Sequence, residues 1–241
     1  MTQPTTTHTA PTRPGILVGL KAEAQLIRAV FPHAAIAASG ATSAGAQREP
    51  RRLAACGAAC LLSFGLAAGL DPALPPGSIV IPSEVKAWGN TWACDPTLRH
   101  ILGENRQGAI GGALLHSDDV VLQAEHKADL FASTHCAALD MESGFLARAA
   151  QEADLPFAVL RVVCDPATRS LPPVTACVLS PDGGLKIGLL LRSLLRHPSQ
   201  IGGLINLGRD AGLARKAMLA FLHEQASRPA FREFASRTAP G

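Results

Sequence analysis

The sequence predicts a single α/β domain: a mostly parallel mixed central sheet flanked by helices on both faces. Three observations point there. Short apolar runs bounded by Gly and Pro alternate with segments of helical periodicity, the order that builds parallel strands joined by crossover helices. The 241 residues, 47% of them apolar, suit one full core rather than two domains. The run 157–163 (FAVLRVV), rich in β-branched residues, reads as a strand buried on both sides.

Taken in order, residues 15–20 (GILVGL) read as the first buried strand and 22–30 as a helix stopped at Phe31-Pro32. Residues 34–38 are a short second strand ending at Ser39-Gly40. A helix over 44–56 follows, with Pro50 expected to interrupt it or start it afresh. Residues 59–64 are a third strand, 65–69 a loop of small residues, and 71–76 a further loop. Residues 77–86 alternate through Ile79, Ile81 and Val85, as a strand does. Residues 88–92 read as a loop, 96–102 as a short helix, 112–117 as a strand before Asp118-Asp119, and 123–134 as a helix. The run Asp140-Met141-Glu142-Ser143 opens a helical pattern through Phe145, Leu146, Ala149 and Ala153, which Leu155-Pro156 breaks. The buried strand 157–163 then ends in Cys164-Asp165-Pro166. Residues 168–182 are Pro-rich and read as an irregular loop or lid, with helices at 185–195 and 208–226. The domain is expected to span 15–227, between a disordered Thr/Pro-rich tail at 1–14 and a frayed tail at 228–241.

Composition excludes several classes. A net charge of +3, with basic groups such as Arg51-Arg52 lacking an aromatic platform, argues against nucleic acid. Six scattered cysteines form no CxxC pair, so no metal is expected, and a reduced, cytoplasmic thiol set is. The first fourteen residues lack the apolar segment of a signal peptide. No apolar run reaches the ~18 residues of a membrane span. Tyr is absent, so the core rests on Leu, Val, Ile and Ala.

Two carboxylates stand out. Asp165 falls at the carboxyl end of a central strand, where open α/β sheets bind ligands, and Glu142 precedes the helix that leads back to that strand. Both can face one crevice. A plainer reading makes Asp165 a turn residue before Pro166 and places Glu142 in a helix first turn, favoured by the dipole.

Four pieces in this order carry a resemblance: GILVGL with the helix AEAQLI, the segment SFGLAAGLDPALPPGSIVIP, the run LDMES, and the strand FAVLRVVCD. The chain resembles the nucleoside phosphorylase/nucleosidase superfamily. Within it, SFGLAAGLDPALPPG, DMES and CDPA are similar to the hopanoid-associated phosphorylase branch, the adenosylhopane nucleosidases. The resemblance implies a three-layer α/β/α fold and release of adenine from adenosylhopane by phosphate or water attack at C1′. A methylthioadenosine/S-adenosylhomocysteine nucleosidase and a general purine nucleoside phosphorylase are the alternatives, and a non-catalytic nucleoside-binding protein is a third.

It also implies roles. Asp165 matches the acid that protonates purine N7, and Glu142 the carboxylate that accepts the ribose hydroxyls. Such a pair meets the charge that builds on sugar and base as the bond breaks. Met141 matches a residue packed on the ribose, and Gly65, Ala67 and Ala68 a backbone segment beside base and sugar. Val120 and Val121 match a purine-packing pair; Ser39 and Gly40 are candidates from position alone, at a strand end where they can face the sugar or an anion. Hydrolytic members carry a water-activating Glu in the first helix. Ala24 stands at that position here, with Glu23 about 100° away round the helix. The departure leaves phosphate open as nucleophile, with Lys21, Ser39, Arg48, Arg51 or Arg52 to bind it. Cys164 reads as a small buried neighbour of the acid, and His116 and His126 as structural or surface residues. No cofactor or metal is implied. The expected partner is a small-molecule nucleoside, in a homo-oligomer of at least two chains. Residues 185–196 (LKIGLLLRSLLR) read as a helix packed on the sheet or as a peripheral contact with the inner membrane.

Overall fold

The computed structural model describes residues 13–172 and 201–237. The helix expected at 185–195 and most of the Pro-rich segment 168–182 lie outside the described residues, as do residues 1–12.

The described chain runs β1 (Pro14–Val18), α1 (Lys21–Val30), β2 (Ala35–Ala38), α2 (Ser43–Ala55), β3 (Cys60–Gly69), β4 (Ile79–Val80), β5 (Glu84–Ala87), β6 (Asn90–Ala93) and α3 (Pro96–Leu102). It continues through β7 (Ala109–Ile110), β8 (Ala113–His116), α4 (Ala124–Thr134), β9 (Cys136–Asp140), α5 (Ser143–Glu152) and β10 (Phe157–Asp165). Two helices follow residue 200: α6 (Ile201–Ala226) and α7 (Pro229–Ala235). The ten strands form one sheet in the order β6-β5-β8-β9-β3-β10-β4-β7, with β1 joined to β3 and β2 to β1. Most pairings are parallel; β5–β6, β3–β9 and β4–β10 are antiparallel. The predicted mostly parallel, mixed α/β architecture is the one observed.

Alternation along the central strands divides the core into two layers. Ile16, Val18, Leu62, Phe64, Leu160 and Val162 face a layer that includes α1, α3, α6 and α7. Leu17, Leu61, Val159 and Val163 face the other, with Leu53 of α2 and Leu146, Ala147 and Ala150 of α5. Because both faces are covered, these strands carry unbroken apolar runs.

Several expectations are corrected. Residues 65–69 are the second half of β3, since Gly65 pairs with Arg161, Ala67 with Val163, and Gly69 with Ala138 of β9. Small residues there allow close approach of neighbouring side chains: a Cβ on Gly65 would lie 3.3 Å from an Arg161 guanidinium nitrogen. Residues 77–86 divide into β4 and β5 around Ile81-Pro82-Ser83, because Pro82 has no N–H for a ladder. Residues 88–92 are a tight turn at Trp88-Gly89, both at positive φ, followed by β6, which pairs with β5 from Ala87↔Asn90 to Glu84↔Ala93. Pro50 neither breaks nor restarts α2; it is buried inside that helix, whose packing against α5 outweighs local propensity. The short β7 and the strand β9 before Asp140 were unforeseen. The tail expected at 228–241 holds α7, whose Phe231 and Phe234 close on Phe31 with ring centroids 5.2 and 6.3 Å away.

Candidate active site

A cavity of about 250 Å³ opens where β1, β3, β9 and β10 end. Its wall includes Gly19, Leu20 and Glu23 after β1, Gly65 to Ala68 of β3, Leu139 to Glu142 at the end of β9, and Cys164 and Asp165 of β10. Val120 and Val121, Leu171, and Leu207 of α6 close it with apolar side chains. The predicted residues Met141, Glu142, Asp165, Gly65, Ala67, Ala68, Val120 and Val121 therefore meet in one place.

Three predicted residues do not. Ser39 is buried outside the cavity lining, its hydroxyl donating to Gly19 O at 3.3 Å and accepting from Ala41 N at 3.1 Å, so its one proton is already taken. Gly40, at φ 71°, makes the turn beside it. Lys21 is exposed at the start of α1 and does not line the cavity. The other basic candidates for phosphate are engaged elsewhere: Arg48 and Arg52 pair with Glu49, and Arg51 with Glu152. Among the described residues no Lys or Arg lines the cavity.

The first-helix carboxylate is also corrected. Glu23, not residue 24, lines the cavity, and it is 3% exposed. Ala24 packs against the core. The 100° of helical rotation does not keep Glu23 out, because its side chain folds back over the helix start, where Oε2 accepts from Leu20 N at 2.8 Å. That turn aims the carboxylate at the ends of β1 and β9. A Cβ on Gly19 would lie 3.2 Å from Glu23 Oε2 and 3.5 Å from Glu142 Oε1, so the bare glycine leaves room for both carboxylates beside it. Burial pushes the Glu23 carboxyl up, against the pull of the Leu20 amide and of Arg161 and Arg215.

Glu142 is the N-cap residue of α5, yet its side chain makes no capping bond and points to the cavity. Burial pushes its carboxyl up to about 7. Arg161 and His116 oppose the rise, and the negative Asp140 and Glu23 add to it. A ligand that donates hydroxyl protons to Glu142 favours its ionised form. The raised value also carries a cost in stability. The folded value lies above the ordinary 4.5, so the folded chain holds the proton more tightly, and stability falls as pH rises from about 4.5 to about 7. Glu142→Gln lacks that loss. The melting temperature of the Gln variant relative to wild type is expected to climb between pH 5 and pH 8, about 2–4 °C for each kcal/mol relieved. Scanning fluorimetry across that range checks it; a constant difference would contradict the assignment.

Beneath Glu142 lies a buried ionic cluster that the sequence reading did not anticipate. Arg161, 1% exposed, donates from Nε to Asp140 Oδ2 at 2.6 Å and from a terminal nitrogen to Ser63 Oγ at 2.7 Å. The same terminal nitrogen lies 3.7 Å from Glu142 Oε2. Ser143 donates through its backbone N–H and hydroxyl to the other Asp140 oxygen. Arg161 and these bonds hold the Asp140 carboxyl well below the usual carboxylate range despite its burial. Its charge is therefore fixed, and the cluster can position Glu142. A lone Arg inside the apolar strand FAVLRVVCD is a legible sign, since a buried charge must be paired. His116 fits its expected structural role: it is buried between Trp88 and Phe145 with centroids 4.7 and 4.8 Å away.

Asp165 stands on a β-bulge. Val163 pairs with Ala67 and Asp165 with Ala68, leaving Cys164 as the extra residue. Its Oδ2 accepts from Lys127 Nζ at 2.6 Å, while Oδ1 is buried with no partner among the described residues. Burial pushes the carboxyl up and Lys127 pulls it down, the net direction being upward. Lys127 carries no such sign in the sequence, where AEHKADLF reads as an ordinary half-exposed helix.

A doubly covered α/β sheet with carboxylates gathered at strand ends defines a class of small-molecule enzyme. Comparison with known proteins makes the class specific. A family model described as the phosphorylase superfamily matches residues 31–175, more than half of the sequence. The chain belongs to the phosphorylase superfamily, a class of nucleoside phosphorylases and hydrolases. No curated protein matches the sequence significantly. Among solved structures, the chain is similar to the 5′-methylthioadenosine/S-adenosylhomocysteine nucleosidase of Neisseria meningitidis in complex with methylthio-immucillin-A. The TM-score is 0.63 at 16% identity, over 89% of this chain and 99% of that one. A mutant Helicobacter pylori nucleosidase with 5′-methylthioadenosine in its active site gives 0.60 at 15% identity, over 88% and 99%. A futalosine hydrolase mutant from Helicobacter pylori gives 0.56 at 17% identity, over 63% and 89%. At these identities the likeness is one of fold.

Proposed function

We propose that the chain cleaves the N-glycosidic bond of a purine nucleoside and releases adenine. The observation that carries this reading is the convergence of Glu23, Glu142 and Asp165, from three separate elements, on one apolar cavity. Asp165 gives a proton to purine N7 as the C1′–N9 bond breaks, and the bonding electrons stay on the base. Glu142 accepts the ribose hydroxyls and, ionised, stabilises the positive charge at C1′. Met141 packs on the sugar, with Val120 and Val121 beside the base. Glu23 takes a proton from the attacking water. Glu23 on the cavity wall supports water as the nucleophile, since a carboxylate there can take its proton.

For the substrate we retain adenosylhopane. Leu20, Leu66, Leu171 and Leu207 make the wall apolar. The small volume holds the nucleoside head, and the triterpenoid substituent leaves beside Leu171 and Leu207. Methylthioadenosine is the second reading, favoured by the fold shared with nucleosidases that bind it or its analogues. The same proposal takes the chain to be cytoplasmic, homo-oligomeric, and at most peripheral to the inner membrane. Among the described residues no helix is long and apolar enough to cross a membrane.

The test is adenine release, followed by chromatography, from adenosylhopane and from methylthioadenosine side by side, with and without phosphate. Release from adenosylhopane alone supports the first substrate, and preferential release from methylthioadenosine replaces it with the second. Phosphate is expected to be dispensable. Glu23→Gln is expected to slow release about 10²–10⁴-fold. A phosphate-dependent reaction that survives this change would remove Glu23 and water from the mechanism.

A further inference from the structure

Lys127 is fully buried, at 0% exposure, on α4. Its Nζ donates to Asp165 Oδ2 at 2.6 Å, to Pro166 O at 3.1 Å and to Arg169 O at 2.9 Å. The three protons of the ammonium are thus all taken, and none is left for a ligand. The carboxylate is not saturated in return: Asp165 is 4% exposed and its Oδ1 has no partner among the described residues, in a residue that forms part of the cavity wall. A buried ion pair is a poor way to hold a loop. Its desolvation offsets most of its attraction, and apolar side chains of the same volume often stabilise as well. A pair with one carboxylate oxygen left open at a ligand cavity has another use.

We propose that Lys127 is a positioning residue: it occupies Oδ2, fixes the Asp165 carboxyl so that Oδ1 is the atom offered to the base, and sets with its charge how readily that carboxyl releases a proton. The proposal rests on the reading of Asp165 as the acid. When the proton on Oδ1 passes to purine N7 and the C1′–N9 pair stays on the base, the carboxylate left behind already has its cation. Other groups act on the same carboxyl. Arg169, in the loop after β10, favours the ionised form, and Asp210 of α6 opposes it. Arg169 and Asp210 are themselves paired. The neighbouring Cys164 thiol, pushed up to about 12 by burial, stays neutral. None of these is within hydrogen-bond reach of Oδ1, and among the described residues Lys127 alone occupies Oδ2.

The experiment reads Asp165 directly. In protein labelled with ¹³C at aspartate carboxyls, the Asp165 signal is assigned by its loss in Asp165→Asn and titrated in wild type, Lys127→Met and Lys127→Arg. Without the cation the midpoint is expected to rise by about 1–3 pH units, and Arg to restore most of the difference. The pH at which adenine release declines on the alkaline side is expected to move by the same amount, through kcat more than KM. Should the Met variant not fold, Lys127→Gln keeps a hydrogen bond to Oδ2 without the charge and carries the same comparison. An unmoved midpoint in a folded Met or Gln variant overturns the role of Lys127. A shifted midpoint with full activity in Asp165→Asn overturns the acid reading of Asp165 instead, so the two failures are distinct.

Discussion

Asp165→Asn is expected to lower the turnover of adenine release by about 10²–10⁴-fold, the usual contribution of a positioned acid, while leaving the fold in place. The amide has the shape of the carboxyl and its oxygen can still accept from Lys127, so the bulge at Cys164 and the helix α4 keep their contacts. What is lost is a proton that can be handed to the base. Uncatalysed departure then has to place negative charge on an unprotonated purine in an apolar cavity, where charge is poorly tolerated. The loss should fall on kcat more than on KM, because the acid acts as the bond breaks. Wild-type activity should decline as pH rises through the raised Asp165 value, and that decline should disappear from the residual rate of the Asn variant. Steady-state kinetics across pH 5–9, with circular dichroism as the control for folding, decide the matter. A well-folded Asn variant with near-normal turnover would remove Asp165 from the chemistry.

The largest effect on stability is expected at Arg161. Arg161→Met keeps much of the side-chain length and removes the charge, leaving Asp140 buried opposite nothing positive at its Oδ2. Breaking a buried pair from one side costs about 3–5 kcal/mol, far more than the pair contributes net. Denaturant titration should show that loss as a lower midpoint. Asp140→Asn in the same chain removes the stranded charge, so the double variant should be more stable than the sum of the two single changes predicts. Strict additivity would mean that the two residues do not act as a pair. Activity should fall as well, since Glu142 loses the cation that opposes the rise of its carboxyl.

The parts of the molecule that were legible in the sequence share a physical reason. Apolar runs such as 157–163 and Pro-bounded helices such as Pro96–Leu102 are set by local periodicity and by local stops, here Asp95 accepting from Leu98 N and Gly103 in the left-handed region. The family motifs then singled out Asp165, Glu142 and Met141, and all three line the cavity. What was hidden depends on contacts distant in sequence. Gly65 to Gly69 look like a loop until β10 and β9 pair with them. Residues 228–241 look like a tail until Phe31 is known to be waiting for Phe231. Glu23 was set aside on ideal helix geometry, and a single backbone amide at Leu20 was enough to turn it inward. Lys127 reads as a surface residue because nothing near it in the sequence indicates the carboxylate it meets 38 positions later.

The bulge before Asp165 has a consequence for how this protein tolerates change. The placement of the carboxyl depends on the bulge, with Cys164 as the one supernumerary residue where β10 pairs with β3. Replacing Cys164 by another small residue keeps the bulge. Removing it leaves Asp165 opposite Ala68 in an even ladder, but takes away the extra length and local twist that set the carboxyl against Lys127. Lineages descending from this chain are thus free to drift in spelling across 157–164 and held nearly rigid in length, an asymmetry between substitution and deletion that a saturation library covering both would expose.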